Sequence, residues 1–367
     1  MSERLQGGPG QAGSLFEPLQ FARGAAMRNR LALAPLTNLQ SNDDGTITPD
    51  EFAFLVKRAQ AGFGMVMTCG ATVSPLGKGY PRQLGIHDDR HLPGLAKLAQ
   101  GLRAAGAQAV VQIMHSGWRA KRDLIGTEPV GVCHGPGVRG LTTGEVQQVI
   151  EDFIVAGIRA ERAGFDGVEI HGAHGYLLCE FLDTVRNQRS DRYGGSAEGR
   201  SRPITEIVAG LRARTGPDFQ IGVRLSPERY GIAFDEALAL AAKLMTSGTV
   251  DYVDVSCWDV GKQPEDPRYH GRTLLDCFAE LPRGRARLGV AGKLTTAAAV
   301  FESLRQGADF VLIGRGAILH HDFPARLRAD PGFVCTPLPV SRAHLHDEGL
   351  GPHFIDYMRT WAGFVAD

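Results

Sequence analysis

Two imidazoles and a phenol lie within six residues of the sequence, as His171, His174 and Tyr176. They follow an apolar run in which Val168 and Ile170 alternate with polar neighbours, the pattern of a strand with one apolar and one polar face. A single histidine beside a strand is most often a satisfied core residue, but three polar side chains clustered at a strand end indicate an active site. Imidazole and phenol are acid–base and hydrogen-bonding groups, so we expect the chemistry here.

Two simpler interpretations of this run stay open. The two histidines could bind zinc together with Cys179, but zinc requires a fourth ligand and a tetrahedral geometry that a strand end does not readily give, so we predict no metal. Tyr176 could also do no more than cap a following helix.

Two further polar side chains interrupt apolar runs. Gln112 lies within VVQIM, and Arg224 lies within IGVRL on the opposite parity to the aliphatic residues. Both are expected to point into the mouth of a barrel. A buried arginine costs several kcal/mol of desolvation unless it meets an anion, so Arg224 requires either a ligand or a buried carboxylate such as Glu169.

Glycines follow the last two predicted strands, at Gly292 and at Gly314, and Arg315 comes directly after the second. Loops at these places in a barrel commonly bind phosphate through backbone N–H groups, and arginine adds a bidentate donor. The motif is weak by itself, but the pair of loops predicts a cofactor or substrate that carries phosphate.

Short apolar runs alternate with helical stretches along nearly the whole chain, which is typical of repeated βα units. The predicted strands are 31–35, 64–69, 108–114, 166–171, 219–225, 250–255, 287–291 and 309–313. Eight strands at helix-sized intervals predict an α/β fold, a TIM (β/α)8 barrel, with its active site at the C-terminal strand ends.

Composition narrows the class of protein. The 367 residues include 40 basic and 40 acidic side chains, so no general field attracts nucleic acid or anionic lipid. No apolar stretch is long enough to span a membrane. The six cysteines are scattered without C-x-x-C spacing, which disfavours disulfides and iron–sulfur clusters and favours the cytoplasm.

The chain is expected to form one large domain. Residues 1–14 predict a disordered tail, residues 15–330 the barrel, and residues 331–367 an arm that packs on the barrel or on a neighbouring subunit. A homo-oligomer is therefore left open. The stretch 116–144 is long for a βα loop and is expected to form a lid or pocket wall.

Several motifs occur together in one order. They are 27–37 (MRNRLALAPLT), 112–117 (QIMHSG), 171–176 (HGAHGY) with 191–196 (DRYGGS), and 314–315 (GR). In this combination the chain resembles the old yellow enzyme family of FMN-dependent ene-reductases, also called NADH:flavin oxidoreductases. The similarity runs from residue 16 to residue 328, and DRYGGS in register with the histidine pair is its most specific part.

The resemblance implies that FMN is bound. The cofactor-binding positions it implies are Ala34, Pro35, Leu36, Thr37, Gly70, Gln112, Arg224, Ala291, Gly292, Gly314 and Arg315. Pro35, Leu36 and Thr37 would contact the flavin ring. Gly70 and Gln112 would bond its pyrimidine part, Arg224 would approach its N1/C2 carbonyl edge, and the last four positions would hold the phosphate.

The resemblance also implies a reaction. His171 and His174 would hold the oxygen of an α,β-unsaturated carbonyl or nitro compound, and Tyr176 would give the proton. NADPH or NADH would reduce the flavin in the same pocket, in a ping-pong cycle. The lone Cys335 disfavours the iron–sulfur relatives, and Thr37 stands where some relatives have cysteine.

Two alternatives remain from the residues. One is a non-redox TIM-barrel lyase or isomerase that acts on a phosphorylated substrate, and the other is a flavin-binding protein without turnover.

Overall fold

The centre of the molecule is a closed parallel barrel. The computed structural model describes residues 15–366, so the predicted tail 1–14 lies outside the described residues. We number the barrel strands in chain order: β1 Leu31–Leu33, β2 Met65–Met67, β3 Gln108–Met114, β4 Gly167–Gly172, β5 Gln220–Leu225, β6 Tyr252–Ser256, β7 Arg287–Ala291 and β8 Phe310–Ile313. Each strand pairs with the next, and β8 pairs with β1. The TIM-barrel prediction is confirmed, with all eight strands within two residues of their predicted ends.

One helix of the outer ring follows each strand. These helices are α1 Pro49–Gln60, α2 Leu92–Ala104, α3 Thr143–Arg162, α4 Ala197–Arg214, α5 Phe234–Thr246, α6 Leu274–Ala279, α7 Ala297–Arg305 and α8 Phe323–Ala329. Helix α3 shows how sequence sets an end: Thr142 and Glu145 form a reciprocal capping box at its start. Gly164 follows its last turn at φ 85°, a conformation that favours glycine. Further helices are Arg122–Ile125, Leu177–Leu182, Arg315–Leu319, Arg342–Asp347 and Pro352–Arg359.

The barrel interior changes from apolar to polar along the strands. At the N-terminal end, the rings of Phe21, Tyr252 and Phe310 pack with centroids 5.6–5.9 Å apart. Two residues further along, the inward positions become polar, because Gln112 follows Val110 and Asp254 follows Tyr252 with the same parity. The apolar half therefore closes the bottom, and the polar half faces the C-terminal mouth.

Two segments outside the βα alternation lie at this mouth. The loop after β3 contains a 3-10 turn at Gly117–Arg119 and paired strands at Val130–Gly131 and Arg139–Gly140.

No helix within residues 15–366 is long and apolar enough to cross a membrane.

The second segment is the C-terminal arm, which contacts α1 and the loop after β1. The Phe354 ring meets the Phe54 ring at 5.2 Å, and the Gly351 N–H donates to Oε1 of Gln40 at 2.8 Å. The division of the chain at residue 330 stays a prediction.

Candidate active site

Neighbouring strands align the polar side chains of the barrel mouth. In the register of β4, β5 and β6, His171 lies beside Arg224, and Arg224 lies beside Asp254. Next to them, towards the N-terminal end of the strands, Gln112 of β3 lies beside Glu169 of β4, and its Nε2 donates to Oε1 of Glu169 at 2.8 Å. Five polar side chains from four strands thus share one buried layer.

The buried carboxylate that pairs with Arg224 is that of Asp254. The expectation that Glu169 could be this partner is therefore corrected. Nε of Arg224 lies 2.9 Å from Oδ2 of Asp254, and both side chains are buried. The two atoms are at ion-pair distance but are not aligned as a hydrogen bond. Burial raises the pKa of Glu169 and of Asp254, while the Arg224 charge lowers both pKa values.

Several buried atoms of this layer have no hydrogen-bond partner within residues 15–366. They are Oε2 of Glu169, Nδ1 of His171, Nε of Arg224 and both carboxylate oxygens of Asp254. Buried polar atoms in native proteins are nearly always paired. This layer therefore suits a polar ligand placed over it.

The three residues of the opening motif meet at the top of this layer, to which His171 belongs. The His171 ring lies 5.0 Å from the His174 ring and 5.2 Å from the Tyr176 ring, centroid to centroid. His174 and Gly175 adopt left-handed backbone conformations, at φ 63° and φ 71°, which turn the chain sharply between β4 and the helix Leu177–Leu182. Nε2 of His174 also lies 2.9 Å from Oγ of Ser256 on β6.

Both imidazoles are uncharged at neutral pH. Burial holds the pKa of His171 well below its usual range, and the neighbouring His174 imidazole and Arg224 guanidinium lower it further. Burial and the Arg224 charge lower the pKa of His174 to about 3. A neutral imidazole keeps one N–H, so each ring can donate a hydrogen bond without carrying a charge.

Tyr176 stands at the N-cap position of the helix Leu177–Leu182, but its side chain makes no capping hydrogen bond. The interpretation of Tyr176 as a simple helix cap is therefore wrong. Burial raises the pKa of Tyr176, and the phenol stays protonated at neutral pH.

The two glycine loops lie at the other side of the mouth. A Cβ on Gly292 would come within 2.9–3.0 Å of the backbone nitrogens of Asp259 and Val260, so only glycine fits there without a shift. A Cβ on Gly314 would lie 4.0 Å from Cβ of Ala34, so the last loop lies beside the segment after β1.

Arg315 is exposed and forms no ion pair or hydrogen bond with residues 15–366, although its charge reaches the Asp259 carboxylate. Asp259 is already paired with Lys293 at 2.8 Å. The Arg315 guanidinium therefore retains its capacity to bind an anion.

Gly70 and Gln112 are neighbours, because a Cβ on Gly70 would lie 3.3 Å from Oε1 of Gln112. Tyr80, which the sequence analysis missed, donates its hydroxyl to the Gly70 carbonyl at 3.2 Å and hydrogen-bonds to Thr37. The positions predicted to lie near the flavin ring, 34–37, 70 and 112, thus all lie at one end of the barrel.

Other residues at the site also escaped the sequence analysis. Asp254 carried a usable signal, since it has the opposite parity to Val253 and Val255, just as Arg224 has in its own strand. Ser256 and Arg119 carried none, because their contacts depend on how separate loops approach each other.

One group outside this site has the composition of a metal site. The side chains of His320, Asp322 and Glu348 approach within 4.8 Å of one another. The Thr336 N–H donates to Nε2 of His320 at 2.9 Å, so the proton of a neutral ring is on Nδ1 and neither nitrogen is free to bind a metal. The hydrogen bond from Thr336 therefore argues against a metal at this cluster.

Comparisons with known proteins agree with this geometry. The model of the NADH:flavin oxidoreductase / NADH oxidase family matches residues 14–330. A probable NADH-dependent flavin oxidoreductase of Bacillus subtilis is 36% identical over 327 residues, covering 86% of this chain and 87% of the relative. An NADPH dehydrogenase of Bacillus pumilus is 33% identical over 321 residues, covering 84% and 93%.

Among solved structures, morphinone reductase in complex with tetrahydroNAD superposes with a TM-score of 0.76 at 27% identity, covering 90% of this chain and 94% of that one. Since the family model spans most of the chain, this protein belongs to the NADH:flavin oxidoreductase / NADH oxidase family, the old yellow enzymes, and is an NAD(P)H-dependent oxidoreductase with FMN as its cofactor.

Proposed function

We propose that this enzyme reduces the activated C=C bond of α,β-unsaturated carbonyl or nitro compounds with NADPH or NADH. The observation that carries the proposal is the meeting of His171, His174 and Tyr176 at the top of a buried layer of unsatisfied polar atoms. That arrangement offers two neutral N–H donors and one protonated phenol to a single small molecule.

The residues fit FMN in the way the resemblance implies. A flavin ring carries both donors and acceptors on its pyrimidine edge, so it suits the layer of Gln112 and Arg224. The phosphate suits the end of the barrel where Gly292, Gly314 and Arg315 lie, since Gly314 leaves room there and Arg315 supplies a cation. Ala291, Gly70 and the segment 34–37 complete the proposed binding site.

When bound, FMN would supply the hydride chemistry between the nicotinamide and the β-carbon of the substrate. The protein has three tasks around that step. His171 and His174 donate hydrogen bonds to the carbonyl or nitro oxygen, which stabilises the negative charge that develops there. Tyr176 donates its proton to the α-carbon and regains one from solvent, so the substrate gains one hydride and one proton. The same pocket receives the nicotinamide and the substrate in turn.

The Tyr176→Phe variant tests the proton donor. We expect the oxidation of the reduced enzyme by an enone to slow by about 10²- to 10⁴-fold, because general acid catalysis is lost. Reduction by NADPH requires no proton from Tyr176 and should change far less. Stopped-flow absorbance at the flavin band measures the two half-reactions separately.

Tyr193→Phe is the matched control, since it removes a buried tyrosine hydroxyl that binds Glu206 away from the site. A Tyr176→Phe enzyme with the wild-type rate of oxidation would rule out this role for the phenol.

The alternative of a non-redox lyase or isomerase is not favoured. It needs Glu169 or His171 as a base, but Glu169 is fully buried and accepts a hydrogen bond from Gln112.

The proposed location is the cytoplasm, because all six cysteines are free thiols. The proposed partners are small molecules, and a homo-oligomer stays a prediction.

A further inference from the structure

A cavity opens directly beside Tyr176, the proposed proton donor. It measures about 380 Å³ and is lined by Gly79, Trp118, Arg119, Ala120, Lys121 and Tyr176. Two of its six lining residues are cations and none is acidic, so its chemistry differs from that of the polar layer below.

Arg119 is held against the turn 173–175, which follows β4. Its Nη1 donates to the His174 carbonyl at 2.5 Å, and its guanidinium carbon lies 5.5 Å from the centroid of the Tyr176 ring. It also lies 5.8 Å from the Trp118 ring, and Nε1 of Trp118 donates to the Gly175 carbonyl at 3.1 Å. The positive charge is therefore fixed within a few ångströms of the reacting centre.

Among the described residues, no acidic side chain pairs with these cations. Within residues 15–366, neither Arg119 nor Lys121 forms an ion pair, and nor does Lys78, whose carbonyl accepts the Lys121 N–H at 3.2 Å. Elsewhere most arginines of the barrel surface pair with a carboxylate, as Arg200 does with Glu236. Because the chain as a whole carries no net charge, this excess is local.

We propose that Arg119 and Lys121 bind a carboxylate of the substrate, so that the preferred substrates are unsaturated carbonyl compounds that also carry an acidic group. The inference rests on the proposed function and narrows its substrate class. A carboxylate fits better than the phosphates of the nicotinamide dinucleotide, because Arg119 lies against Tyr176 itself, where the end of a small substrate would reach.

The test compares two probes in steady-state kinetics with the FMN-loaded enzyme. These are 2-cyclohexen-1-one and its ring-carboxylated analogue, 4-oxocyclohex-2-ene-1-carboxylate. We expect kcat/KM to favour the carboxylate by about tenfold or more at low salt, and the preference to shrink at 0.5 M salt in accordance with screening. Lys121→Glu should abolish or reverse the preference.

Lys243→Glu is the matched control. Lys243 is an exposed lysine of α5, outside the mouth of the barrel, and forms no ion pair within the described residues. Its charge reversal should leave the ratio of the two kcat/KM values as in the wild type.

Three other results would contradict the proposal or the function on which it rests. Equal kcat/KM values for the two probes in the wild type would overturn the carboxylate site while leaving the ene-reductase intact. A Lys121→Glu variant that raises KM for NADPH and keeps the substrate ratio would assign the cations to the dinucleotide instead. Failure of the wild type to turn over either probe would overturn the proposed function itself.

Discussion

At the scale of single residues, the charge state of each histidine decides what the site can do. Burial and the Arg224 charge keep the pKa values of His171 and His174 far below neutrality, so each ring would act as an uncharged donor with one N–H. A charged imidazole so close to Arg224 would be repelled by its guanidinium. Hydrogen bonding by these rings should therefore not change between pH 6 and pH 8.

His115 offers a measurable consequence of the same effect. Burial lowers its pKa to about 4, and its Nδ1 accepts the Gly117 N–H at 3.0 Å. Below pH 6.5 the unfolded chain binds a proton at this residue that the folded chain does not. The free energy of unfolding should therefore decrease as the pH is lowered from about 6.5 to about 4. For this group the decrease is about 1.4 kcal/mol per pH unit.

His115→Asn keeps an acceptor near the Nδ1 position and removes the titration. Urea unfolding between pH 4.5 and pH 6 should show a slope that is one proton shallower in this variant than in the wild type. Equal slopes would mean that His115 carries the same charge in the folded and unfolded chains.

At the scale of elements, the register of β4, β5 and β6 creates the polar layer. Arg224 is the only cation that the described residues place in this layer, beside the carboxyl groups of Glu169 and Asp254, and it lies on the central strand of the three. Its removal leaves two buried carboxyl groups without a counter-charge.

Arg224→Met should therefore lower the free energy of unfolding by about 3–5 kcal/mol and weaken FMN binding. The double variant Arg224→Met/Asp254→Asn should recover much of the stability, because it also removes the uncompensated carboxylate. Urea unfolding and the flavin content of the purified variants measure the two effects. A single variant as stable as the wild type would contradict the description of the pair.

The elements also show what sequence can and cannot predict. The eight strands were predictable because buried strands of a parallel barrel appear as short apolar runs between helices. The inward direction of Arg224 followed from its parity. Its pairing with Asp254 did not, since the register between two strands is set by the closed sheet and not by either strand alone.

Loop residues were the least predictable part of the site. Tyr80 and Arg119 reach it from the loops after β2 and β3, whose paths depend on contacts such as the one between Trp118 and Gly175. The motif 171–176 was found because its three residues are adjacent in the chain. Residues that meet only in the fold give no such pattern.

At the scale of the whole molecule, the barrel separates stability from chemistry. Its N-terminal half is filled by aromatic and aliphatic side chains, while its C-terminal half carries the polar layer and the loops. The arm after residue 330 packs through Phe354 and Gly351 onto α1 and the segment after β1, so it supports the side of the mouth where the flavin ring is proposed to lie.

The central claim is that one pocket accepts a hydride from a nicotinamide and gives it to an activated alkene. An anaerobic titration of the purified FMN enzyme tests it most directly, with NADPH or NADH added first and an enone second. We predict that the yellow absorbance bleaches with one equivalent of reductant and returns with one equivalent of enone, which is recovered as the saturated ketone. A flavin that stays reduced in the presence of enones and nitroalkenes would contradict the account.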